Sequence, residues 1–521
     1  MSSATTLPDN MQDMTDLVIA LQQKLDHQSL FIEQLLEQIK LAQHNRFGVK
    51  SEAISPDQLR LLLDEMQVVE PIADDEAETT VEPVSQTTAS KNKRSRRALP
   101  AHLPRIEVKH TLDDEHCQCE HCNECMVPLS EKISEQLDII PAKVRVLRHH
   151  RTTYYCPGCD DAALKTAPLP PQPIPKSNAT PGLLAWLIIA KYLDGMPLYR
   201  IERKLTRYGM PLTRSTQASW MIQCGQLIQP LINLMRDRLL SYDIIAMDES
   251  RYQVLKEDGK TPQSQSYIWV QRGGPPDSPV ILYDYDPTRS QSVPLRLLDG
   301  FGGYLQTDAY EGYGAVCRQN NLISVGCMAH ARRKFDEALK AQRTVDPDKQ
   351  KSTLAATALK QIQALYNIER DIKHLNADEK YIIRQEQAMP LLNELKAWLD
   401  TNILVVPPRS TLGKAMNYLH RQWDKLTVYT TDGRLRIDNN LCENAVRPFV
   451  MGRKSWLFAA SVEGAKASAN LYSLVETAKA NGHEPHSYIQ HVLTHLPAAQ
   501  SLEDIEALLP FNVQPEQCLA A

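Results

Sequence analysis

Between Leu17 and Leu41 apolar residues recur at steps of three and four (Leu17, Leu21, Leu25, Ile32, Leu35, Leu36, Ile39) among Gln, Glu and Lys. That spacing predicts an amphipathic helix or short coiled coil in an N-terminal region 1–67, packed on its own domain or on a second copy of the chain. The periodicity stops in 68–100, an acidic and then basic stretch with almost nothing to bury, which reads as a disordered linker. A cysteine-rich module (101–165) and a Pro-rich tether (166–181) follow. Helical spacing returns over 182–240 in three apolar segments, the second stopped at Gly209 and the third opened by Thr213-Arg214-Ser215-Thr216. That is the order of a helix-turn-helix, or of a plain helical support for the next domain.

The pattern then changes period. Ile244–Asp248, Tyr267–Gln271, Val280–Tyr285, Tyr304–Asp308 and Ile323–Cys327 are short β-rich runs between Gly, Pro and Asp turns, and they predict a mixed sheet. A polar helical stretch at about 334–425 interrupts this domain, which spans 241–465. Helices return after Asn440 and continue into a C-terminal region 466–521, the last one closing near Gly482 with Pro485 beyond it. The fold class expected is therefore multidomain α/β.

Composition narrows the function classes. The net charge of −5 excludes a uniformly basic nucleic-acid coat, but charge is local: Lys91, Lys93, Arg94, Arg96 and Arg97 form a basic run after the acidic Asp74, Asp75, Glu76 and Glu78. No apolar stretch approaches the roughly 18–20 residues of a membrane span, and the start of the chain lacks the layout of a signal peptide, so the cytoplasm is the expected location. In such a compartment the 11 cysteines point to metal or to ordinary burial rather than to disulfides.

Three carboxylates carry the candidate chemistry. Asp248 and Asp308 each end an apolar run, so neighbouring strands can project both from one sheet edge. Glu443 follows Asp438-Asn439-Asn440, residues suited to a helix N-cap, which places it in a first helical turn with Arg447 on the same face. Like charges gathered this closely are held together most readily around cations. A pair of divalent ions on such a cluster is the usual device for in-line attack on a phosphodiester, so the residues predict Mg2+ (or Mn2+) chemistry at two ions. A second metal class is suggested by Cys156-Pro157-Gly158-Cys159 and, upstream, by Cys119/Cys122 or Cys122/Cys125. Two such knuckles supply four thiolates to one structural Zn2+. Cys224, Cys317, Cys327, Cys442 and Cys518 are scattered, and burial is their expected fate.

Several blocks are similar to the DDE transposases of the insertion sequence 66 group. They include Arg46-Phe47-Gly48, Ser134-Glu135-Gln136-Leu137-Asp138, Met247-Asp248-Glu249, and Thr307-Asp308-Ala309-Tyr310-Glu311-Gly312-Tyr313. Further on come Cys327-Met328-Ala329-His330-Ala331-Arg332-Arg333-Lys334-Phe335, Asp438-Asn439-Asn440 with Glu443, Gly452-Arg453-Lys454, and Leu471-Tyr472-Ser473-Leu474 with Glu476-Thr477-Ala478-Lys479. The resemblance spans nearly the whole chain. It implies an RNase H-like catalytic domain with a helical insertion, and Asp248, Asp308 and Glu443 as the triad. It also implies a zinc module, for which it favours Cys119/Cys122 with Cys156/Cys159, although Asn123 stands where a glycine is usual. The activity implied is cleavage and strand transfer on double-stranded DNA at element ends and target, by a homo-oligomer assembled on DNA, with small accessory proteins of the same element as further partners. His330, Arg332, Arg333, Lys334, Arg447, Arg453 and Lys454 are candidate DNA contacts. The rival readings are a nuclease or resolvase that cuts without joining and a catalytically silent, zinc-containing DNA binder.

Overall fold

A computed structural model describes residues 144–154, 165–341 and 353–519. Residues 144–149 group with a separate unit, Glu70–His149, and are exposed, with neither helix nor strand. The described residues from 150 onward belong to the larger unit. The N-terminal helix, the linker and the four candidate zinc cysteines Cys119, Cys122, Cys156 and Cys159 lie outside the described residues.

The larger unit opens with a short antiparallel pair, β1 (Thr153–Tyr154) and β2 (Lys165–Thr166). Four helices follow: α1 (Pro181–Tyr192), α2 (Leu198–Arg207), α3 (Arg214–Leu227) and α4 (Gln229–Leu240). Their starts are chemically explicit. Thr180 accepts from the Leu183 N–H with Pro181 in the first turn, and Thr213 accepts from the Thr216 N–H. On α1, Leu184, Ala185, Leu187, Ile188, Ala190 and Tyr192 are all buried, so the helix is a core support. α3 lies close against a C-terminal helix, α13 (Val462–Ala480). A Cβ at Gly225 would stand 2.6 Å from the Ala467 Cβ, and glycine is what permits that approach.

The central sheet has the order β5-β4-β3-β6-β7, with β3 (Ile244–Lys256), β4 (Gln265–Gly273), β5 (Val280–Asp286), β6 (Tyr304–Gln306) and β7 (Ile323–Val325). β3, β4 and β5 are antiparallel neighbours, whereas β6 runs parallel to β3 and β7 parallel to β6. It is a mixed sheet, as expected. A three-residue strand, β8 (Ala459–Ser461), pairs with the far end of β3. Two short helices, α5 (Ser292–Leu297) and α6 (Gly314–Gln319), make the connections around β6. The exposed edge that β5 would leave is closed by α13: Ser473 accepts from the Tyr283 N–H at 2.8 Å, and Thr477 both accepts from the Ile281 N–H (3.0 Å) and donates to its carbonyl (2.8 Å). Trp269, Val270, Leu282 and Tyr283 fill this core.

A second core stands between β7 and the last helix of the site. It is built from α7 (Met328–Ala341), α8 (Leu354–Asp371), α9 (Ala377–Ile383), α10 (Met389–Asn402) and α11 (Thr411–Thr427). Phe335, Ile362, Leu365, Leu392, Leu395 and Leu419 pack inside it. At its base Arg384 is 2% exposed, and its guanidinium is fully engaged. Nε and Nη2 donate to Glu369 at 2.8 and 2.7 Å, and the backbone carbonyls of Tyr429, Asp432 and Leu435 accept the remaining protons. A buried charge of this kind is tolerated only when so completely partnered. The chain then returns to the sheet through α12 (Asn440–Trp456), β8 and α13, and ends in α14 (Pro485–His495), α15 (Leu502–Glu506) and α16 (Pro515–Leu519). Among the described residues, no helix is long and apolar enough to cross a membrane.

Candidate active site

Asp248 lies in the middle of β3 rather than at a strand end, because the strand runs on to Lys256. What does end there is its parallel neighbour. β6 pairs Gln306 with Ala246 and stops, so Asp308, two residues past Gln306, comes level with Asp248, two residues past Ala246. Two local bonds fix these carboxylates. Asp248 Oδ1 accepts from the Glu249 N–H at 2.8 Å, and Asp308 Oδ1 accepts from the Tyr310 N–H at 2.9 Å.

Glu443 reaches the same place from the first turn of α12. The Asp-Asn-Asn step ahead of it makes several contacts. Asp438 Oδ1 accepts from the Asn440 N–H (3.2 Å), and its other oxygen accepts from the Tyr366 hydroxyl of the second core (3.0 Å). Asn439, 2% exposed, caps nothing with its side chain; its amide instead donates across to the Met247 carbonyl at 3.0 Å, one residue from Asp248. The Asn439 N–H donates to the Cys327 sulfur at 3.3 Å. Below this turn the buried Cys442 thiol lies against the carbonyls of Ala246 and Val270, each at 3.6 Å. The helix is thereby bonded to the strand that carries Asp248.

Asp308 and Glu443 lie near enough to Asp248 for their charges to act on it. Burial, with the charges of Glu249, Glu443 and Asp308, pushes the Asp248 carboxyl up to about 7. Glu249 is itself held: Arg289 pairs with one of its oxygens and the Tyr313 hydroxyl donates to the other at 2.6 Å. Burial still raises its pKa. Arg289 in turn lies over the Tyr310 ring, 3.9 Å from its centroid. The motif around Asp308 thus reaches back, through Tyr310 and Tyr313, to the motif around Asp248. On the helix side, His330 Nδ1 stands 3.6 Å from Glu443 Oε1 and Arg333 stands 3.7 Å from Oε2. Burial lowers the His330 pKa, with Glu443 acting against it.

The remaining sequence-singled cations are dispersed. Arg332 lies over the Tyr366 ring at 5.7 Å and Lys334 over that of Tyr418 at 4.9 Å, both in the second core. Arg447 and Lys454 are exposed on α12, and Arg453 reaches Ser250 of β3 at 3.5 Å. Sequence reasoning missed the roles of Glu249, Arg289 and Cys327. Glu249 stood beside Asp248 in a quoted motif, whereas Arg289, 40 residues away, gave no local signal.

Comparison with known proteins finds matches along most of the chain. The model of the transposase IS66 family matches residues 176–467, more than half of the chain and all of the sheet with its helical insertion. A zinc-finger binding domain of transposase IS66 matches 116–160, the transposase C of IS166 homeodomain matches 34–108, and the IS66 C-terminal element matches 473–511. Among full-length relatives, the uncharacterized proteins y4jD and y4qI of Sinorhizobium fredii (strain NBRC 101917 / NGR234) are each 29% identical. The first covers 90% of this chain and 92% of its own length, the second 93% and 90%. The chain belongs to the IS66 family of transposases.

Proposed function

We propose that Asp248, Asp308 and Glu443 are the catalytic carboxylates of a metal-dependent enzyme that cleaves DNA strands at the ends of an insertion sequence and transfers the freed ends to target DNA. The observation that carries this reading is the convergence of three carboxylates from β3, the end of β6 and the first turn of α12, close enough that two of them help raise the third to about 7. An all-oxygen donor set of that kind fits a hard divalent cation. Asp248, Asp308 and Glu443 would hold two Mg2+ (or Mn2+) ions, which when bound supply activation of the attacking oxygen and neutralisation of the leaving one. The protein's own residues keep the donors in place: Arg289 and Tyr313 brace Glu249 beside Asp248, and Asn439 ties α12 to β3.

The sheet order supports an RNase H-like domain. Three antiparallel strands are followed by two parallel ones, with one aspartate on the central strand and the other after its parallel neighbour. The exposed Arg333, Arg447 and Lys454, with Arg332, Lys334, Arg453 and His330, are proposed to meet phosphates of double-stranded DNA. Cys119, Cys122, Cys156 and Cys159 would hold one structural Zn2+, in keeping with the zinc-finger match over 116–160. Holding two element ends calls for a homo-oligomer assembled on DNA, and small accessory proteins of the element are further partners.

The test is strand cleavage and joining with Mg2+ or Mn2+ on DNA carrying the flanking ends of the element, for the wild type and Glu443→Gln. Joined products that disappear in the variant support the reading. Cutting without joining would make the protein a nuclease, and binding with neither, accessory proteins supplied, would make it a silent DNA binder.

A further inference from the structure

Cys327 closes the turn after β7, and His330 lies one helical turn further on, in the first turn of α7. A three-residue step on a helix start turns both side chains to one face. Facing them is Glu443. The Cys327 sulfur lies 4.0 Å from Glu443 Oε1 and His330 Nδ1 lies 3.6 Å from the same oxygen; the three donor atoms are all within 4.8 Å of one another. Neither contact is a good hydrogen bond. His330 Nδ1 is out of reach of solvent and has no hydrogen-bond partner among the described residues. Three potential ligands therefore converge on a point that none of them satisfies for the others, and the second carboxylate oxygen is turned the other way, toward Arg333 at 3.7 Å.

The chemistry of this trio differs from that of the carboxylate site beside it. Thiolate, imidazole and carboxylate are the ligands of a tetrahedral zinc-class ion, whereas magnesium takes oxygen. Bond lengths of about 2.3 Å to sulfur and 2.0–2.2 Å to nitrogen and oxygen require neighbouring ligands to stand roughly 3.3–3.8 Å apart. The His330–Glu443 separation already meets this, and the Cys327–Glu443 separation needs to close by a few tenths of an ångström.

We propose that Cys327, His330 and Glu443 form a site for a thiophilic divalent ion of the zinc class, and that filling it withdraws Glu443 from the magnesium site and halts cleavage. The second half of this inference rests on the reading of Glu443 as a catalytic ligand; the first half does not. Glu443 is the residue the two sites share, and its Oε1 is the oxygen that faces Cys327 and His330 while Arg333 faces Oε2. An ion seated on α7 would draw that oxygen toward Cys327 and His330 and away from the aspartates of the sheet.

The experiment uses the full-length protein with its zinc-finger region loaded, Cd2+ as the probe, and the variants Cys327→Ser and His330→Ala. The wild type should take up one more Cd2+ per chain than Cys327→Ser, and their difference spectrum should show a thiolate-to-cadmium charge-transfer band. His330→Ala should keep the band and weaken the added equivalent by at least about ten-fold. Equal uptake with no difference band would overturn the site. If Cys327→Ser loses its fold by circular dichroism, His330→Ala decides: unchanged affinity overturns the proposal. In a second arm, Zn2+ is titrated into the magnesium-driven cleavage reaction, each protein being scaled to its own zinc-free rate. Half-inhibition of the wild type should need at least about ten-fold less Zn2+ than that of His330→Ala; equal sensitivity would overturn the switching role. Absence of cleavage in every protein would instead count against the transposase reading, leaving the cadmium result to stand alone.

Discussion

The two cores that meet at the candidate site hold their shares of it by different means. Asp248 and Asp308 are placed by the sheet, where many backbone hydrogen bonds run along β3 and its neighbours and no single side chain decides the register. Three side-chain contacts set the turn ahead of Glu443, Asn439 to the Met247 carbonyl, the Cys327 sulfur to the Asn439 N–H, and Tyr366 to Asp438, while Cys442, Arg272 and Tyr283 hold α12 itself on the sheet. Two of those three come from the turn before α7 and from α8 of the helical insertion. The insertion therefore helps to aim one carboxylate at two that are already fixed. One half of the site is held by repeated backbone bonds, and the other by individual side chains that single substitutions can remove.

The comparison can be broken most directly at the carboxylates. Glu443→Gln removes a charge and almost no volume, so cleavage should fall by at least ~10^4-fold, on the order of 5 kcal/mol in the barrier, with the fold unchanged. Single-turnover cleavage of element-end DNA measures it, and a loss of less than ten-fold would remove Glu443 from the site. The next largest effect is expected at the insertion's own anchor. Arg384→Ala leaves Glu369 and three carbonyls without their donor, and breaking a buried pair of this kind costs ~3–5 kcal/mol. The second core should then melt first in denaturant while the sheet core keeps its transition. A single transition shifted as a whole would mean that the two cores are not separable.

A smaller effect sharpens the fixed half. The Asp248 carboxyl is raised to about 7 in the folded chain, well above its ordinary value of 3.8. Between these two values the folded state keeps a proton that the unfolded chain has lost, so this group's contribution to stability falls as pH rises from about 4 to 7 and stays low above that. In magnesium-free buffer Asp248→Asn should gain ~1–3 kcal/mol at pH 8, less than the full shift implies because the group is partly solvated, and almost nothing at pH 4. Equal stability at both pH values would mean that the cluster is not strained in the metal-free protein.

What could be read from the sequence follows the same division. Each of the five extended runs falls within one of β3 to β7 or begins with it, because apolar runs between turn residues are a local signal. The extension of β3 past Asp248 was missed, although buried Tyr252 and Val254 alternate with more exposed neighbours there. The stop near Gly482 with Pro485 beyond it agrees with the end of α13, but that helix is not the last: Pro485 opens α14, with Glu484 accepting from the N–H groups of His486 and Ser487. The three carboxylates that the sequence singles out are brought near one another by the fold. Their supports were not legible: Arg289 reaches Glu249 from 40 residues away and Asn439 reaches Met247 from 192, distances that leave no local pattern.

The smallest expected effect tests whether surface charge also joins the two halves. Arg434, on the segment that leads into α12, pairs with Asp243 just before β3 at 2.6 Å, and their side chains are 49% and 69% exposed. Arg434 keeps a second partner in Asp432 at 2.8 Å, and the Asp243 carbonyl holds the Tyr304 N–H whatever its side chain is. Water screens such a pair, so Asp243→Asn should cost under ~0.5 kcal/mol and leave the cleavage rate within about two-fold. A larger loss of rate at unchanged stability would mean that α12 is aimed in part from the surface and not by its buried contacts alone.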